Sequence, residues 1–378
     1  MNTLDRVSTL LDDRILDLAV QIQQIPAPTF EESARAQFVL EKFRADGLTD
    51  TGMDSAGNVY ARLSGGGQAP LVVSAHLDTV FPADTSLAAR REAGRIYGPG
   101  IGDNSLGVAS LFGLAWMLRE RGIRLPGDLW LVANTCEEGL GDLKGMKAVC
   151  ERFGPSPLCY LVVEGMALGH VYYRGTGVRR YKVTIHTQGG HSWIDFGKPS
   201  AIHELSKLVA QVSALKAPSV PRTTFNVGRI GGGTSINTVA PEAWFELDLR
   251  SEGAMQLNDL ARRVESLLET AQQRGVRVER EVIGQRPAGE ISSSHPLIKL
   301  AASTLRKLGI EPSLTIGSTD ANIPLSLGYP ALVLGITRGG GAHTAGEYLE
   351  TGPLADGMEQ LLQFVSKAWE ATNRPEGF

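Results

Sequence analysis

Short unbroken apolar runs alternate with helical periods over the first and last thirds of the chain. LVVSA (71–75), LWLVANT (129–135), LCYLVV (158–163) and ALVLGI (331–336) read as buried strands. A helix over roughly 105–120 lies between the first two. Thr29-Phe30-Glu31-Glu32 has the pattern of a capping box, and a helical period runs from there to Gly47, a C′ stop. Continuous apolar strands separated by helices predict an α/β fold with a mostly parallel sheet covered on both faces.

The middle third has a different texture. RRYKVTIH (179–186) alternates like a half-exposed strand, and a helix follows at about 200–214. TTFNVGRI (223–230) and AWFELDLR (243–250) read as strands, 255–273 as a helix, and VRVEREV (276–282) as a last strand. The order β-α-β-β-α-β is that of a ferredoxin-like unit. The chain is therefore expected to hold one α/β domain, 1–173 plus 287–378, with a ferredoxin-like α+β domain inserted over 174–286. Triple glycines at 65–67, 231–233 and 339–341 read as loops, and no internal repeat is visible.

Composition narrows the function classes. At 378 residues, 42% apolar and 21% charged, the chain has the make-up of an ordinary two-domain globular protein. A net charge of -4 supplies no basic footprint for nucleic acid. No apolar run is long enough to span a membrane. The first residues mix acids with apolar groups and lack the pattern of a signal peptide. Cys136, Cys150 and Cys159 form no CxxC pair, against a disulfide framework or a thiolate metal site. A cytoplasmic location is expected.

The acids and histidines fall at informative places. His76 and Asp78 follow the strand at 71–75, Glu137 and Glu138 follow 129–135, and Glu164 follows 158–163. His343 lies in a Gly-rich loop after 331–336. Sites in open α/β sheets form outside the carboxyl ends of the strands, so four segments deliver His, Glu, Glu and His to one edge. Asp103 comes from GPGIGDNSLG, which opens a helix; alone it reads equally as a helix N-cap. A lone histidine after a strand is more often structural, but Asp78 two residues on is the acid a ligand histidine needs behind it. Adjacent Glu137 and Glu138 on a strand end would point opposite ways, one to a metal and one to a substrate. Five nitrogen and oxygen ligands without thiolate suit two divalent ions, zinc first, cobalt or manganese as alternatives. Glu137 then reads as general base.

HLDTV, GDN, CEEG, VEG, GGHS, SINTVAP, DLR, TDAN and GAHTAGE occur in the order found in the family-20 metallopeptidases, which the chain resembles over essentially its whole length. That family includes peptidase T, aminoacylase, acetylornithine deacetylase, succinyl-diaminopimelate desuccinylase and glutamate carboxypeptidase. The resemblance implies His76 and Glu164 as ligands of one metal, Glu138 and His343 of the other, and Asp103 as the bridge. It implies Asp78 as the acid behind the histidine, Glu137 as catalytic base, and a cis peptide bond after Asp103. The inserted domain resembles the family's lid and dimerisation domain, which implies a homodimer formed through it. His191 in GGHS matches a lid histidine that steadies the oxyanion, against its reading as a plain loop histidine. Asn237 and Arg250 match lid residues that bind the substrate carboxylate or oxyanion; Arg250, next to apolar Leu249, also reads as a solvated strand residue.

The resemblance implies amide-bond hydrolysis in small peptides by an exopeptidase. The alternatives are an N-acyl-amino-acid deacylase and an inactive binding module. Asn104-Ser105 stands where many relatives have a lysine, and no arginine precedes STDAN, where Leu314 lies. TDAN points toward peptidase T-like members and Glu164 toward deacylases. A nucleotide site over Gly98, Gly100 and Gly102 is disfavoured by their spacing, and no GxSxG elbow is present. His203 and His295 are expected on exposed helix surfaces.

Overall fold

The computed structural model describes the backbone of residues 3–373 and the side chains of residues 10–373. Residues 1–2 and 374–378, at the ends of the expected α/β domain, lie outside the described residues. The chain divides into two compact units. One runs to Gly175 and resumes at Glu290; the other is Thr176–Gly289.

The first unit is built on a sheet whose centre is four parallel strands. In spatial order they are Gly127–Asn134, Gln68–His76, Cys159–Glu164 and Ala331–Gly335. These are the four apolar runs. Their side chains divide by period two. Leu71, Val73, Leu129, Leu131, Leu161, Val163, Leu332 and Leu334 pack on one face, together with residues of the helices Leu106–Glu120, Pro296–Lys307 and Leu354–Asn373. Val72, Val132, Tyr160, Val162 and Val333 pack on the other, with Met146 and Val149 of the helix Lys144–Phe153. Burial on both faces is why the runs are continuous rather than alternating. Each buried Leu or Val contributes about 1.5–3 kcal/mol relative to exposure. Antiparallel strands flank the parallel centre. Val59–Leu63 and Thr49–Met53 extend one side, and His170–Gly175 pairs with Ala331–Gly335 on the other.

The parallel registers align the strand ends. His76 pairs with Asn134, Gly335 with Glu164, and Ser74 with Val162, which brings the His76 and Glu164 ends level. The helix Leu106–Glu120 is entered through a wide turn at Ile101–Ser105, and the Asp103–Asn104 peptide is cis.

Three local expectations are corrected. The helix Ser33–Ala45 starts after Glu32 with no side-chain cap, so there is no capping box. Phe30 adopts a positive φ of 77°, and Thr29 Oγ1 donates to Asp78 Oδ2 at 2.9 Å. A buried carboxylate in need of donors has won over the local helix N–H. Gly231 and Gly232 close the strand Thr223–Gly232, and Gly339–Gly340 pairs with Tyr348 and Leu349, so only Gly65–Gly67 is plain loop. A Cβ on Gly339 would lie 2.4 Å from the main-chain oxygen of Tyr348, so close packing selects glycine there. His295 is half-buried and caps the helix Pro296–Lys307, its Nδ1 accepting from Leu297 N–H at 3.2 Å. His203 is exposed.

The second unit is an antiparallel sheet in the order Thr223–Gly232, Glu242–Ser251, Gly177–Thr187, Val276–Arg286. Helices Ala201–Ser213 and Ala254–Ala271 cover one face, completing the ferredoxin-like arrangement. Tyr181, Val183, Ile185, Phe245, Leu247 and Leu249 are buried against them. The intervening Arg180, Lys182, Thr184, Glu246 and Asp248 are half-buried on the opposite face. Among the described residues no helix is long and apolar enough to cross a membrane.

Candidate metal centre

His76 is the last residue of its strand and is buried. Its Nδ1 lies 3.0 Å from the main-chain oxygen of Asp78. A carbonyl only accepts, so Nδ1 donates to it and Nε2 is the nitrogen left to face the acids, as N–H without a metal and as a lone pair with one. Nε2 lies 3.1 Å from Asp103 Oδ1 and 3.7 Å from Glu164 Oε2. His343 arrives from the opposite end of the sequence, on a loop where its own φ is 63°. Its Nε2 lies 3.2 Å from Asp103 Oδ2 and 3.1 Å from Glu138 Oε1. Asp103 therefore turns one oxygen to each histidine.

The expectation for Glu137 and Glu138 is corrected in its reasoning. The strand ends at Asn134, and the two glutamates lie in the turn beyond it. They do not split to opposite faces. Ligand atoms of both fall within 4.8 Å of each other and of His76. A turn frees adjacent side chains from the alternation a strand imposes. Asp78 shapes this turn. Its Oδ1 accepts from Glu137 N–H and its Oδ2 from Glu138 N–H, both at 2.9 Å. Its carboxylate stands 3.6 Å from His76 Nδ1, whose hydrogen bond goes to the Asp78 main chain instead. Asp78 thus stands behind the histidine and also anchors the glutamate turn.

The donor set fits a pair of cations. His76, Asp103 and Glu164 form one group with mutually close ligand atoms, and Asp103, Glu138 and His343 form another. Ligands placed tetrahedrally about 2.0 Å from an ion stand about 3.3 Å apart. The contacts of 3.1–3.2 Å between histidine nitrogens and acid oxygens match that edge. Charge points the same way. The hydrogen bond that the His343 imidazole gives Asp103, with Glu138 also close, raises it to about 9 despite partial burial. Burial opposes the charging of His76, yet Asp103, Asp78 and Glu164 push its pKa well above the ordinary value. Burial also works against an ionised Asp103, but His343 and His76 hold its carboxyl low. Burial, then the Asp103 charge, raises Glu138. Without a metal the cluster collects protons where cations would sit.

Five residues support the centre in ways the sequence reading did not assign. Glu347 is buried and accepts from the N–H groups of Gly100, Gly102 and Asp103. Asn104 donates to Val163 O at 2.9 Å and accepts from Gly165 N–H at 2.8 Å, stitching the Asp103 turn to the Glu164 strand end. Asn134 donates to the buried Asp320 at 2.6 Å. Arg35 is buried, with Nη1 on Leu77 O at 2.6 Å and Nη2 on Ile25 O at 2.6 Å. Glu347, Asn104 and Asp320 all lie inside motifs already singled out, GAHTAGE, GDN and TDAN. Their burial was the missing signal.

Within the inserted unit, His191 and Asn237 adjoin. His191 pairs with Thr238, and Ser192 N–H donates to Asn237 O at 2.9 Å. Both residues are exposed. Arg250 is exposed as well and lies toward the other end of the strand Glu242–Ser251, eight residues from the Glu242–His186 pair. Its Nε donates to Asp248 Oδ2 at 2.7 Å. The inserted unit does not bring Arg250 to the His191–Asn237 corner.

An α/β sheet with histidines and carboxylates gathered at its parallel strand ends defines a class of α/β proteins with a candidate metal site. The chain belongs to peptidase family M20/M25/M40, whose sequence pattern matches residues 72–367. The family is one of peptidases, so the chain is a hydrolase acting on amide bonds. It is 27% identical to the succinyl-diaminopimelate desuccinylase of Corynebacterium glutamicum, over 95% of this chain and 97% of that protein. Its fold is that of a Staphylococcus aureus tripeptidase, with TM-score 0.80 and 24% identity over 95% of this chain and 99% of the other. It is also that of the aminopeptidase PepT from Bacillus cereus, with TM-score 0.79 and 22% identity over the same shares.

Proposed function

We propose that the chain is a zinc-dependent exopeptidase that hydrolyses an amide bond in small peptides. Asp103, with one oxygen toward each of two histidines, is the observation that carries this reading. In it, His76 and Glu164 would hold one ion, Glu138 and His343 the other, and Asp103 would serve both. Cobalt or manganese would suit the same donors. When bound, two such ions supply a water of lowered pKa and polarise the scissile carbonyl. Glu137 takes the water's proton and returns it to the leaving amine. Asp78 fixes the Glu137 main chain for that task. His191 and Asn237 would meet the oxyanion; Arg250, which lies away from that corner within one chain, would bind the substrate carboxylate from the other protomer of a homodimer. The reading includes a homodimer formed through the inserted unit and a cytoplasmic location.

A second reading is an N-acyl-amino-acid deacylase. It draws on the match to a desuccinylase over nearly the full length. The fold neighbours, a tripeptidase and an aminopeptidase, favour the peptide reading. An inactive binding module is disfavoured, because every expected ligand and Glu137 is retained. The deciding experiment is a screen of the metal-loaded protein against di- and tripeptides and against N-acetyl, N-succinyl and N-carbamoyl amino acids. Release of amino acid from peptides alone is expected. Turnover of acyl amino acids alone would select the deacylase, and silence on every substrate with two metals bound would select the binding module.

A further inference from the structure

Glu347 stands four residues after His343, with no exposed surface. Its Oε1 accepts from the main-chain N–H groups of Gly102 and Asp103, both at 2.8 Å, and its Oε2 from Gly100 N–H at 2.9 Å. Its own main-chain oxygen accepts from Gly98 N–H at 3.0 Å. Four of the six residues Gly98–Asp103 thus hang on one glutamate. A buried carboxylate survives only where donors replace its water, and these three converging N–H groups are those donors. The side chain touches no ligand atom of the candidate centre through these bonds. It grips only the main chain that carries Asp103.

The same residue is tied to the other side of the centre. Glu347 N–H donates to Thr344 O at 3.1 Å, next to His343 in the chain. The loop that presents His343 and the loop that presents Asp103 are therefore locked through one residue. The contact so fixed is His343 Nε2 to Asp103 Oδ2, at 3.2 Å.

We propose that Glu347 is a positioning residue that keeps Asp103 in its bridging pose by carrying the 98–103 loop on its carboxylate. The proposal rests on the two-cation reading above. A glutamine cannot replace it. Its amide nitrogen has no lone pair for an N–H donor, so either Gly100 or the Gly102–Asp103 pair loses its acceptor. Aspartate keeps the charge but withdraws it by one methylene.

The test uses the full-length protein, stripped of metal and titrated with Co²⁺. Wild type is expected to bind two ions with magnetically coupled spins. Glu347→Gln is expected to bind the first ion within about threefold of wild type and the second about 10–100-fold more weakly, the usual effect of losing an outer-shell partner. The spin coupling should disappear. Amide exchange at Gly100, Gly102 and Asp103 should speed at least about tenfold, while the strand Gln68–His76 keeps its protection. At saturating metal, kcat should fall while KM stays within about threefold. If the glutamine variant fails to fold, Glu347→Asp carries the same measurements. A folded variant with both affinities and spin coupling unchanged overturns the role of Glu347 alone. Wild type that binds a single ion overturns the two-cation reading, and the bridging role with it.

Discussion

At the scale of residues, the centre is a balance between burial and charge. If Glu137 is the general base, as proposed, its loss separates chemistry from metal binding. Glu137→Gln is expected to lower kcat by about 10²–10⁴-fold, the range for a general base, while metal content stays near two per chain. Metal analysis beside kinetics checks this; loss of metal would instead assign Glu137 as a ligand. Protonation sets a second expectation. His343 is raised from 6.5 to about 9 by Asp103 and Glu138. Its charged form therefore stabilises the metal-free fold fully below pH 6.5, and that contribution is lost as pH rises through 9. The melting temperature of metal-free protein should fall across this window. Metal affinity should rise across it, because each ion must displace protons from His343 and His76. Calorimetry in buffers of different ionisation heat would count the protons released.

At the scale of elements, the sheet is what makes the centre possible. Four parallel strands end level, and their apolar runs leave little freedom in register, since a slip of one residue would invert every side chain. Leu161 sits at the centre of this packing, fully buried on the helix-covered face. Leu161→Ala is expected to cost about 2–5 kcal/mol, measured as a drop in the urea midpoint at unchanged slope. The strands were legible in the sequence because they are buried on both faces and so are apolar without interruption. The turns were less so. Thr29 follows a local helix-start pattern, yet its hydroxyl serves Asp78, 49 residues away. Glu137 and Glu138 follow an apparent strand, yet the strand stops at Asn134. In each case a distant buried carboxylate overrode local preference, which a local pattern cannot register.

At the scale of the molecule, the inserted unit has its own core of Tyr181, Val183, Phe245, Leu249 and their helix partners. Its two ends meet, since a Cβ on Gly177 would lie 3.0 Å from Ala288. Residues 176–289 expressed alone are therefore expected to unfold in a single cooperative transition, followed by circular dichroism. Replacing that segment by a short Gly-Ser linker should leave a first unit that still binds two ions but lacks His191, Asn237 and Arg250. Loss of metal binding in that variant would mean the centre depends on the insertion. Sedimentation of intact protein tests the dimer; a pure monomer at all concentrations would remove it.

The sequence by itself determined the class of fold, which runs form its parallel strands and the residue types that follow them. Apolar runs and periodicity are local properties, and the motifs HLDTV, GDN, CEEG, VEG and GAHTAGE lie on the page in order. The tertiary structure alone decided which oxygen of Asp103 meets which histidine, across 27 residues to His76 and from the far end of the chain to His343. It alone revealed Glu347, whose partners lie 244 to 247 residues away. The reason is physical. A buried carboxylate is stable only where N–H groups or cations converge on it, and the folded backbone sets where those donors point.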